Sequence, residues 1–216
     1  TGFLGKVFAS LVLQEASDIR RITLVVRGKG RSVTALRRVE QMFERSPGFR
    51  TLRETYGDRF ADLVGGRVGV VEGDVERPRF GLDRSTLEML RGQQVDALIH
   101  CAGLTDFSPD PARALRANVM GAKHAVDLAR FLDAPLMHIS TCFVAGNISG
   151  DVEEALVPGV SPSGQAFSVA EEIHRLNRLC NEGEAAHDRT VRIDRGTERA
   201  QGTHACPTPT PSPKFY

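Results

Sequence analysis

Residues 1–16 read "TGFLGKVFASLVLQEA", a glycine-containing turn followed by an apolar stretch. Gly2 and Gly5 have the spacing of the last two glycines in a GxxGxxG loop, although the first glycine is absent. The apolar residues after the turn recur at helical spacing, which predicts an amphipathic helix with one side formed by Val7, Leu11 and Val12. In a dinucleotide-binding fold such a loop joins the first strand to the first helix, and its backbone amides reach the pyrophosphate. We therefore expect a nucleotide-binding half that lacks its first strand.

The next apolar stretch, "RRITLVVRGKG" (residues 20–30), predicts a buried strand from Ile22 to Arg27. The residue at the tip of this strand distinguishes NAD from NADP. A carboxylate there accepts hydrogen bonds from the ribose hydroxyls of NAD, whereas an arginine suits the 2′-phosphate of NADP. Arg27 stands at the tip, with Lys29 and Arg31 beside it, and we expect no carboxylate there to repel a phosphate. This predicts NADP (NADPH) as the cofactor; the alternative is a solvated basic turn.

Two more stretches predict strands of a sheet covered on both faces. "RVGVVEGDV" (residues 67–75) indicates a strand over Val68 to Val71 that ends in Asp74, whose carboxylate would accept from an adenine amino group or cap the next helix. "DALIHCAG" indicates a continuous apolar strand over Asp96 to Gly103, ending in small residues that allow backbone to approach a ligand.

A fifth strand is expected over Leu136 to Phe143, with the hydroxyls of Ser140 and Thr141 where it leaves the sheet. Helical patterns separate the strands, one from Thr34 to Arg45 and one over residues 110–132, where a buried stripe is predicted for Leu115, Val119, Ala122, Val126 and Leu128. Asn118 interrupts the second pattern, and either a structural polar role or solvent exposure would account for it. Strand and helix alternate throughout, which predicts an α/β fold with a Rossmann-type doubly wound parallel sheet lacking its first strand.

Composition narrows the class of protein. The chain has 216 residues, 41% hydrophobic and 25% charged, with a net charge of +1, so we expect one globular α/β domain and no nucleic-acid partner. No apolar run approaches the roughly 20 residues that span a bilayer, and a cytoplasmic location is the default expectation. The four cysteines show no CxxC pair or histidine at metal spacing, so we expect them to pack as small apolar residues and to bind no metal.

Five motifs occur in a characteristic order: "TGFLGK", "VEGDV", "HCAG", "NVMGAKH" and "HISTCFVAGN". With them, residues 1–183 resemble the extended short-chain dehydrogenase/reductases, and more closely their fatty acyl-CoA reductase and thioester reductase branch. The resemblance implies an oxidoreductase that uses NADPH to reduce a fatty acyl-CoA or other acyl thioester to fatty aldehyde or alcohol.

The resemblance also implies a role for individual residues. It places the cofactor against Gly2, Phe3, Leu4, Gly5, Arg27, Asp74, Cys101, Ala102 and Asn118. Thr141, with Ser140 beside it, would polarise the substrate carbonyl. A tyrosine from a YxxxK motif would donate the proton, with the lysine one helical turn further on lowering the tyrosine pKa.

That motif is absent from its expected place some tens of residues beyond Thr141. The only tyrosines are Tyr56 and Tyr216. A helix is still expected over residues 167–184, with a core-facing side formed by Val169, Ile173, Leu176 and Cys180. After His187 the periodicity stops, so we predict a partial NADP-binding Rossmann domain over residues 1–186 and an aberrant or disordered tail over 187–216.

The tail ends in "CPTPTPSPKFY" (residues 206–216), which by composition is a disordered, polyproline-like segment. Codon degeneracy permits another interpretation, because the same bases read from the third position of each codon allow the series YTFTK, a YxxxK motif. We therefore predict a frameshift between about residues 184 and 206, which leaves the chain inactive as written because the Tyr and Lys are missing. The absence of the first strand, which would lie at the centre of the sheet, predicts separately that the chain folds poorly.

Two alternatives stay open at this stage. The first is a nucleotide-sugar epimerase or dehydratase of the same superfamily, in which a tyrosine usually stands in place of Ala145. The second is a non-catalytic NADP-binding protein that lacks the tyrosine by design.

Overall fold

The computed structural model describes residues 1–30, 32–106, 108–145, 149–155, 158–161 and 164–183. Its helices and strands, in chain order, are α1 Phe3–Glu15, β1 Ile22–Val26, α2 Ala35–Arg45, α3 Arg50–Tyr56, α4 Phe60–Arg67, β2 Val68–Glu72, α5 Arg84–Gly92, β3 Leu98–His100, α6 Pro111–Ala114, α7 Gly121–Leu132 and β4 Leu136–His138, followed by α8 over 169–183. Contacts divide the chain into two units, Thr1–Ser168 and Val169–Tyr216. The second unit is described only in α8.

The four strands form two parallel pairs. In one pair β1 lies beside β2, with Ile22 opposite Val68. In the other β3 lies beside β4, with Leu98 opposite Leu136. Among the described residues each strand has one partner, which is the arrangement that a doubly wound sheet shows when no strand joins its two halves. The α/β, Rossmann-type class predicted from the sequence is confirmed.

Each strand pair has its own hydrophobic core. Beneath β1 and β2, the rings of Phe43 and Phe49 lie 4.4 Å apart between their centroids, and Leu13, Leu52 and Val39 complete a buried cluster. Beneath β3 and β4, the side chains packed together are Phe80, Leu87, Leu90, Ala125, Leu128 and Leu132. Burial on this scale supplies most of the stabilising free energy of the fold.

Local capping bonds set where the helices begin. Thr34 accepts a hydrogen bond from the amide of Arg37 at the start of α2, and Asp83 accepts from Thr86 at the start of α5. Asp110 caps α6 in the same way. These side chains satisfy amides that lack a partner inside their helices, and residues of these types at such positions are readable in the sequence.

The carboxyl end of α1 depends on a distant residue. Arg67, the last residue of α4, donates 2.6 Å hydrogen bonds to the carbonyls of Ala16 and Ile19. It also donates to the carbonyls of Val12 and Leu13. A single guanidinium thus binds four carbonyls at and just beyond the end of α1, where a helix runs out of amide donors of its own. The carbonyl of Val12 also accepts from the amide of Ala16.

Several predicted boundaries and faces were wrong. β4 is Leu136–His138 rather than a strand reaching Phe143, because residues Cys142–Ala145 form a tight 3₁₀ turn. β3 is confined to Leu98–His100 rather than extending from Asp96 to Gly103. In α1, Leu11 is 51% exposed, and the buried side consists of Ala9, Ser10, Val12 and Leu13.

The predicted stripe on the long helix was also wrong in part. Leu115 and Leu128 are buried, but Val119 and Val126 are exposed. Residues Leu115–Met120 form a π-helical stretch, which takes more residues per turn than an α-helix and so rotates the side chains that follow. The buried face of α7 consequently runs through Gly121, His124, Ala125, Leu128, Ala129 and Leu132.

The second unit is described by α8 alone. Of the four residues expected on its core-facing side, Val169 is exposed and Ile173, Leu176 and Cys180 are half-buried. The tail over 187–216 lies outside the described residues, as does Arg31. None of the helices within the described ranges is long and apolar enough to cross a bilayer.

Candidate dinucleotide and substrate site

Arg27 follows directly after β1, and its guanidinium meets two carboxylates that follow β2. Nη1 of Arg27 lies 3.6 Å from Oδ2 of Asp74 and 3.3 Å from Oε1 of Glu76. The expectation that Arg27 has no carboxylate near it was therefore wrong. The parallel pairing brings the ends of β1 and β2 to one edge, so residues almost fifty positions apart become neighbours.

Asp74 uses its carboxylate within the protein. One oxygen faces Arg27 and the other accepts a 3.0 Å hydrogen bond from the amide of Glu76. Asp74 does not cap the next helix, since Asp83 does so. The structure thus places Asp74 at the predicted edge of the sheet, where it orders the turn that follows β2.

Arg38 also reaches this edge, from the first turns of α2, and the sequence analysis did not select it. Its guanidinium donates to the carbonyl of Arg27, and Nη2 donates a 2.9 Å hydrogen bond to Oγ1 of Thr1. Both acceptors are neutral, and no carboxylate within the described ranges forms an ion pair with Arg38. The signal that would have found it is an arginine four residues after the helix cap Thr34, on the helix that follows the ribose-binding strand.

The start of α1 lies beside the end of β3. Gly2 precedes the helix, and no side chain caps its first amides. A Cβ built on Gly5 would lie 3.9 Å from Sγ of Cys101, which places the first turn of α1 against the residue that follows β3. A Cβ built on Gly2 would meet no heavy atom of the described chain within 4 Å.

Ser140 and Thr141 follow β4 at the same edge. The amide of Ile139 donates a 2.9 Å hydrogen bond to the carbonyl of His100, so the segments leaving β3 and β4 stay together. Both hydroxyl residues are exposed, and Oγ1 of Thr141 accepts a 3.3 Å hydrogen bond from the amide of Phe143. Thr141 thus presents its hydroxyl to solvent at the start of a 3₁₀ turn.

The cysteines do not pack as predicted. Cys101 and Cys142 are exposed and Cys180 is half-buried, because Cys101 and Cys142 lie in the segments that leave β3 and β4 rather than within the strands. Cys206 lies outside the described residues. The part of the chain that the structure describes contains no group of three or more candidate metal ligands.

His100 is a buried titratable group directly below these segments. It is 4% exposed, and its ring lies 6.0 Å from that of Phe80 and 5.0 Å from that of His138. Nδ1 accepts a hydrogen bond from the amide of Ala102. Burial, and secondarily the neighbouring His138, hold the pKa of His100 below its usual value. The imidazole is therefore neutral near pH 7, which suits its role as an acceptor.

Asn118 binds the loop that contains Cys101 and Ala102. Its Oδ1 accepts a 2.7 Å hydrogen bond from the amide of Leu104, and its Nδ2 donates at 3.1 Å to the carbonyl of Leu104. The side chain is also exposed. Both alternatives from the sequence, a structural polar role and solvent exposure, are therefore partly correct. A Cβ on Gly103 would lie 2.9 Å from Oδ1 of Asn118, which leaves room only for glycine in this arrangement.

These residues fit a dinucleotide. Uncapped amides at the start of α1 suit a pyrophosphate, and two guanidinium groups, those of Arg27 and Arg38, lie at the end of the adjoining strand, where an adenosine ribose is bound in such folds. A shallow depression elsewhere, lined by Val126, Arg130 and Leu136 among others, adjoins the beginning of β4, at the opposite end of the strand from Ser140 and Thr141. The only tyrosine within the described residues, Tyr56, packs against the first core.

Parallel strand pairs connected through helices, with candidate phosphate-binding groups at their carboxyl ends, define a Rossmann-type dinucleotide-binding class. Comparison with known families agrees with this class. The NAD-binding family described as "Male sterility protein" matches residues 1–200, and the chain belongs to it. The resemblance to the fatty acyl-CoA reductase and thioester reductase branch of the extended short-chain dehydrogenase/reductases is thereby confirmed.

Curated relatives extend this finding to named proteins. The chain is 29% identical over 157 residues to fatty acyl-CoA reductase 8 of Arabidopsis thaliana, covering 71% of this chain and 32% of the relative. It is 26% identical over 210 residues to the alcohol-forming fatty acyl-CoA reductase of Simmondsia chinensis, covering 93% of this chain and 42% of the relative. The chain thus spans less than half the length of either protein.

Solved structures show the same fold. The reductase domain of a nonribosomal peptide synthetase from Mycobacterium tuberculosis superimposes with a TM-score of 0.50 at 25% identity, covering 68% of this chain and 33% of that one. The terminal R domain of the myxalamid PKS-NRPS pathway gives a TM-score of 0.56 at 24% identity, covering 85% of this chain and 44% of that one.

Proposed function

We propose that this chain is the cofactor-binding part of an NADPH-dependent reductase of fatty acyl thioesters, such as fatty acyl-CoA, that forms a fatty aldehyde or alcohol. The observation that carries the proposal is that candidate phosphate-binding groups and two exposed hydroxyls follow the carboxyl ends of parallel strands, Arg27 after β1 and Ser140 and Thr141 after β4. The first turn of α1 lies against Cys101, which follows β3. Membership of the family supports the reaction class, and the printed names of the relatives support the acyl thioester as substrate.

The chain offers a distinct group to each part of the cofactor. The amides of Gly2, Phe3, Leu4 and Gly5 bind the pyrophosphate. Arg27 binds the 2′-phosphate, and Arg38, which already touches Arg27 and Thr1, adds a second cation there. Asp74 lies toward the adenine, and the backbone around Cys101 and Ala102 borders the nicotinamide half. Asn118 acts on the cofactor indirectly, as a positioning residue that binds Leu104.

When bound, NADPH supplies the hydride that reduces the thioester carbonyl. In this proposal Thr141, with Ser140 beside it, donates a hydrogen bond to the carbonyl oxygen as negative charge develops on it. No tyrosine stands between Tyr56 and Tyr216, so the chain contains no YxxxK pair to protonate that oxygen. We therefore propose that the chain as written does not turn over acyl thioesters.

We further propose that a frameshift between about residues 184 and 206 removes this pair. We also propose the corresponding domain boundary, with the NADP-binding domain at residues 1–186, although the family match extends to residue 200. Sequencing the genomic locus tests the frameshift: a YxxxK codon series in a shifted frame is expected, and its absence from every frame would contradict it.

Binding measurements test the cofactor assignment. The purified chain should bind NADPH more tightly than NADH, and Arg27→Ala should weaken NADPH binding by about tenfold while leaving NADH binding nearly unchanged, the scale of a charge-assisted pair. Arg37→Ala is the matched control, because Arg37 lies on the exposed side of α2 and pairs with Glu40. Equal affinities of the unmutated chain for the two dinucleotides would contradict the assignment.

A non-catalytic NADP-binding protein is the second candidate, favoured by the missing tyrosine. This candidate makes the same predictions for cofactor binding as the reductase does. The two differ in whether the genomic locus encodes a YxxxK motif in a shifted frame. Absence of a YxxxK series from the locus, together with tight NADPH binding, would favour this candidate over the reductase.

A further inference from the structure

Glu76 is the acidic side chain placed closest to Arg27. It was not among the cofactor-binding residues predicted from the sequence. Its Oε1 lies 3.3 Å from Nη1 of Arg27, and its Oε2 lies 3.6 Å from Nε of Arg116. The carboxylate therefore stands between two guanidinium groups that come from different parts of the chain. Arg27 also faces Asp74 at 3.6 Å.

The turn that presents Glu76 is held by several bonds. The amide of Glu76 donates to Asp74 at 3.0 Å, and the amide of Asp74 donates to the carbonyl of Phe80 at 2.8 Å. The carbonyl of Val75 lies 2.8 Å from Nδ1 of His124. The Glu76 side chain is 23% exposed, whereas that of Arg27 is 54% exposed. Between the two partners, Arg27 is the more exposed.

Charge decides what this arrangement does to an incoming phosphate. The formal charges of Arg27, Arg116, Asp74 and Glu76 cancel, and Arg38, which touches the carbonyl of Arg27, adds one positive charge beside them. A 2′-phosphate therefore approaches an Arg27 that already faces carboxylates, rather than a free cation. To bind the phosphate, Arg27 has to exchange a carboxylate for it. Glu76 keeps Arg116 as a partner after such an exchange, which lowers the cost of releasing Arg27.

We infer that Glu76 determines cofactor specificity by competing with the 2′-phosphate of NADP(H) for Arg27. The inference rests on the proposed NADP site. NAD(H) carries a hydroxyl in place of that phosphate and does not draw on Arg27, so the competition affects one dinucleotide and not the other. Asp74 is less suitable for this test, because its carboxylate also accepts a hydrogen bond from the amide of Glu76 and so holds the turn. A substitution of Asp74 would change the turn as well as the charge.

The test is Glu76→Gln in the 216-residue chain, with dissociation constants measured for NADPH, NADH and the fragment 2′,5′-ADP. The substitution keeps the size of the side chain and one acceptor oxygen, replaces the other oxygen by an amide donor, and removes the charge. We expect NADPH and 2′,5′-ADP to bind about threefold to fivefold more tightly, the scale of one exposed ion pair, and NADH to be unchanged. Glu40→Gln, which removes the exposed pair with Arg37 on α2, is the matched control and should change none of the three.

Two further variants separate this inference from the proposed function. Arg27→Ala should weaken NADPH binding and abolish the effect of Glu76→Gln when the two are combined. If Arg27→Ala weakens NADPH binding while Glu76→Gln leaves NADPH binding unchanged or weakens it, the proposed competition is refuted but the proposed NADP site is supported. If a chain that shows a cooperative thermal transition does not bind NADPH, or if Arg27→Ala has no effect on NADPH binding, both are refuted. Equal thermal midpoints of the variants show that folding is not the cause.

Discussion

Replacing Asn118 by alanine tests whether the π-helical segment holds the loop beside the proposed cofactor site. Asn118 makes two hydrogen bonds to the backbone of Leu104, at 2.7 and 3.1 Å. Hydrogen bonds of this kind contribute about 0.5 to 1.5 kcal/mol each, and exposed ones fall near the lower value. We therefore expect Asn118→Ala to lower the free energy of unfolding by about 1 to 2 kcal/mol, measured by urea titration, and to weaken NADPH binding.

The neighbouring glycine supplies a sharper version of this test. A Cβ on Gly103 would lie 2.9 Å from Oδ1 of Asn118, so Gly103→Ala should displace the amide and cost a similar free energy. With Asn118→Ala already present the clash is gone, and Gly103→Ala should then cost almost nothing. Asn118→Asp keeps an acceptor for the Leu104 amide and should fall between the wild type and the alanine variant. An equal cost of Gly103→Ala in both backgrounds would refute the reasoning.

Three other predictions follow from the same structure. Arg67→Ala should lower the free energy of unfolding by about 2 kcal/mol, since a charged donor to several carbonyls is lost, whereas Arg20→Ala, at an exposed position before β1, should change the urea midpoint little. Because the pKa of His100 is lowered in the folded protein, its contribution to stability is present above the unfolded pKa of about 6.5 and is lost as the pH falls toward the folded value. His100→Leu should therefore flatten urea midpoints measured between pH 7.5 and 5.5, and an unchanged slope would show that another group titrates. In a chain supplied with a YxxxK pair, Thr141→Ala should lower turnover of acyl-CoA by about a hundredfold with little change in NADPH affinity, and an unchanged rate would mean that Thr141 only packs.

Local sequence signals predicted α1, α2 and the carboxyl ends of the strands. The cap Thr34 at the predicted start of α2 acts on an amide three residues away, so its effect depends little on the rest of the molecule. The strand-tip positions of Arg27 and Asp74 also followed from the alternation of strands and helices, because all parallel strands of such a sheet end at the same edge.

Other features were out of reach because they depend on contacts between distant segments. The π-helical stretch Leu115–Met120 exposes Val119, although its residues carry an ordinary helical pattern. The third and fourth strands are shorter than their apolar runs, since the chain after His100 and His138 leaves the sheet early. A strand extends only as far as a neighbouring strand pairs with it, and the apolar residues of one segment do not specify how far that pairing runs.

The sequence by itself determined the class of the protein, its family and the residues at the carboxyl ends of the strands, because glycine spacing, hydrophobic periodicity and strand-tip chemistry are local properties. Only the tertiary structure decided the electrostatic state of Arg27. Glu76 and Arg38 reach it from 49 and 11 positions away, and their effect on a phosphate depends on distances of 3 to 4 Å. The energy of a charge varies steeply with separation and solvent exposure, and neither quantity exists until the chain has folded.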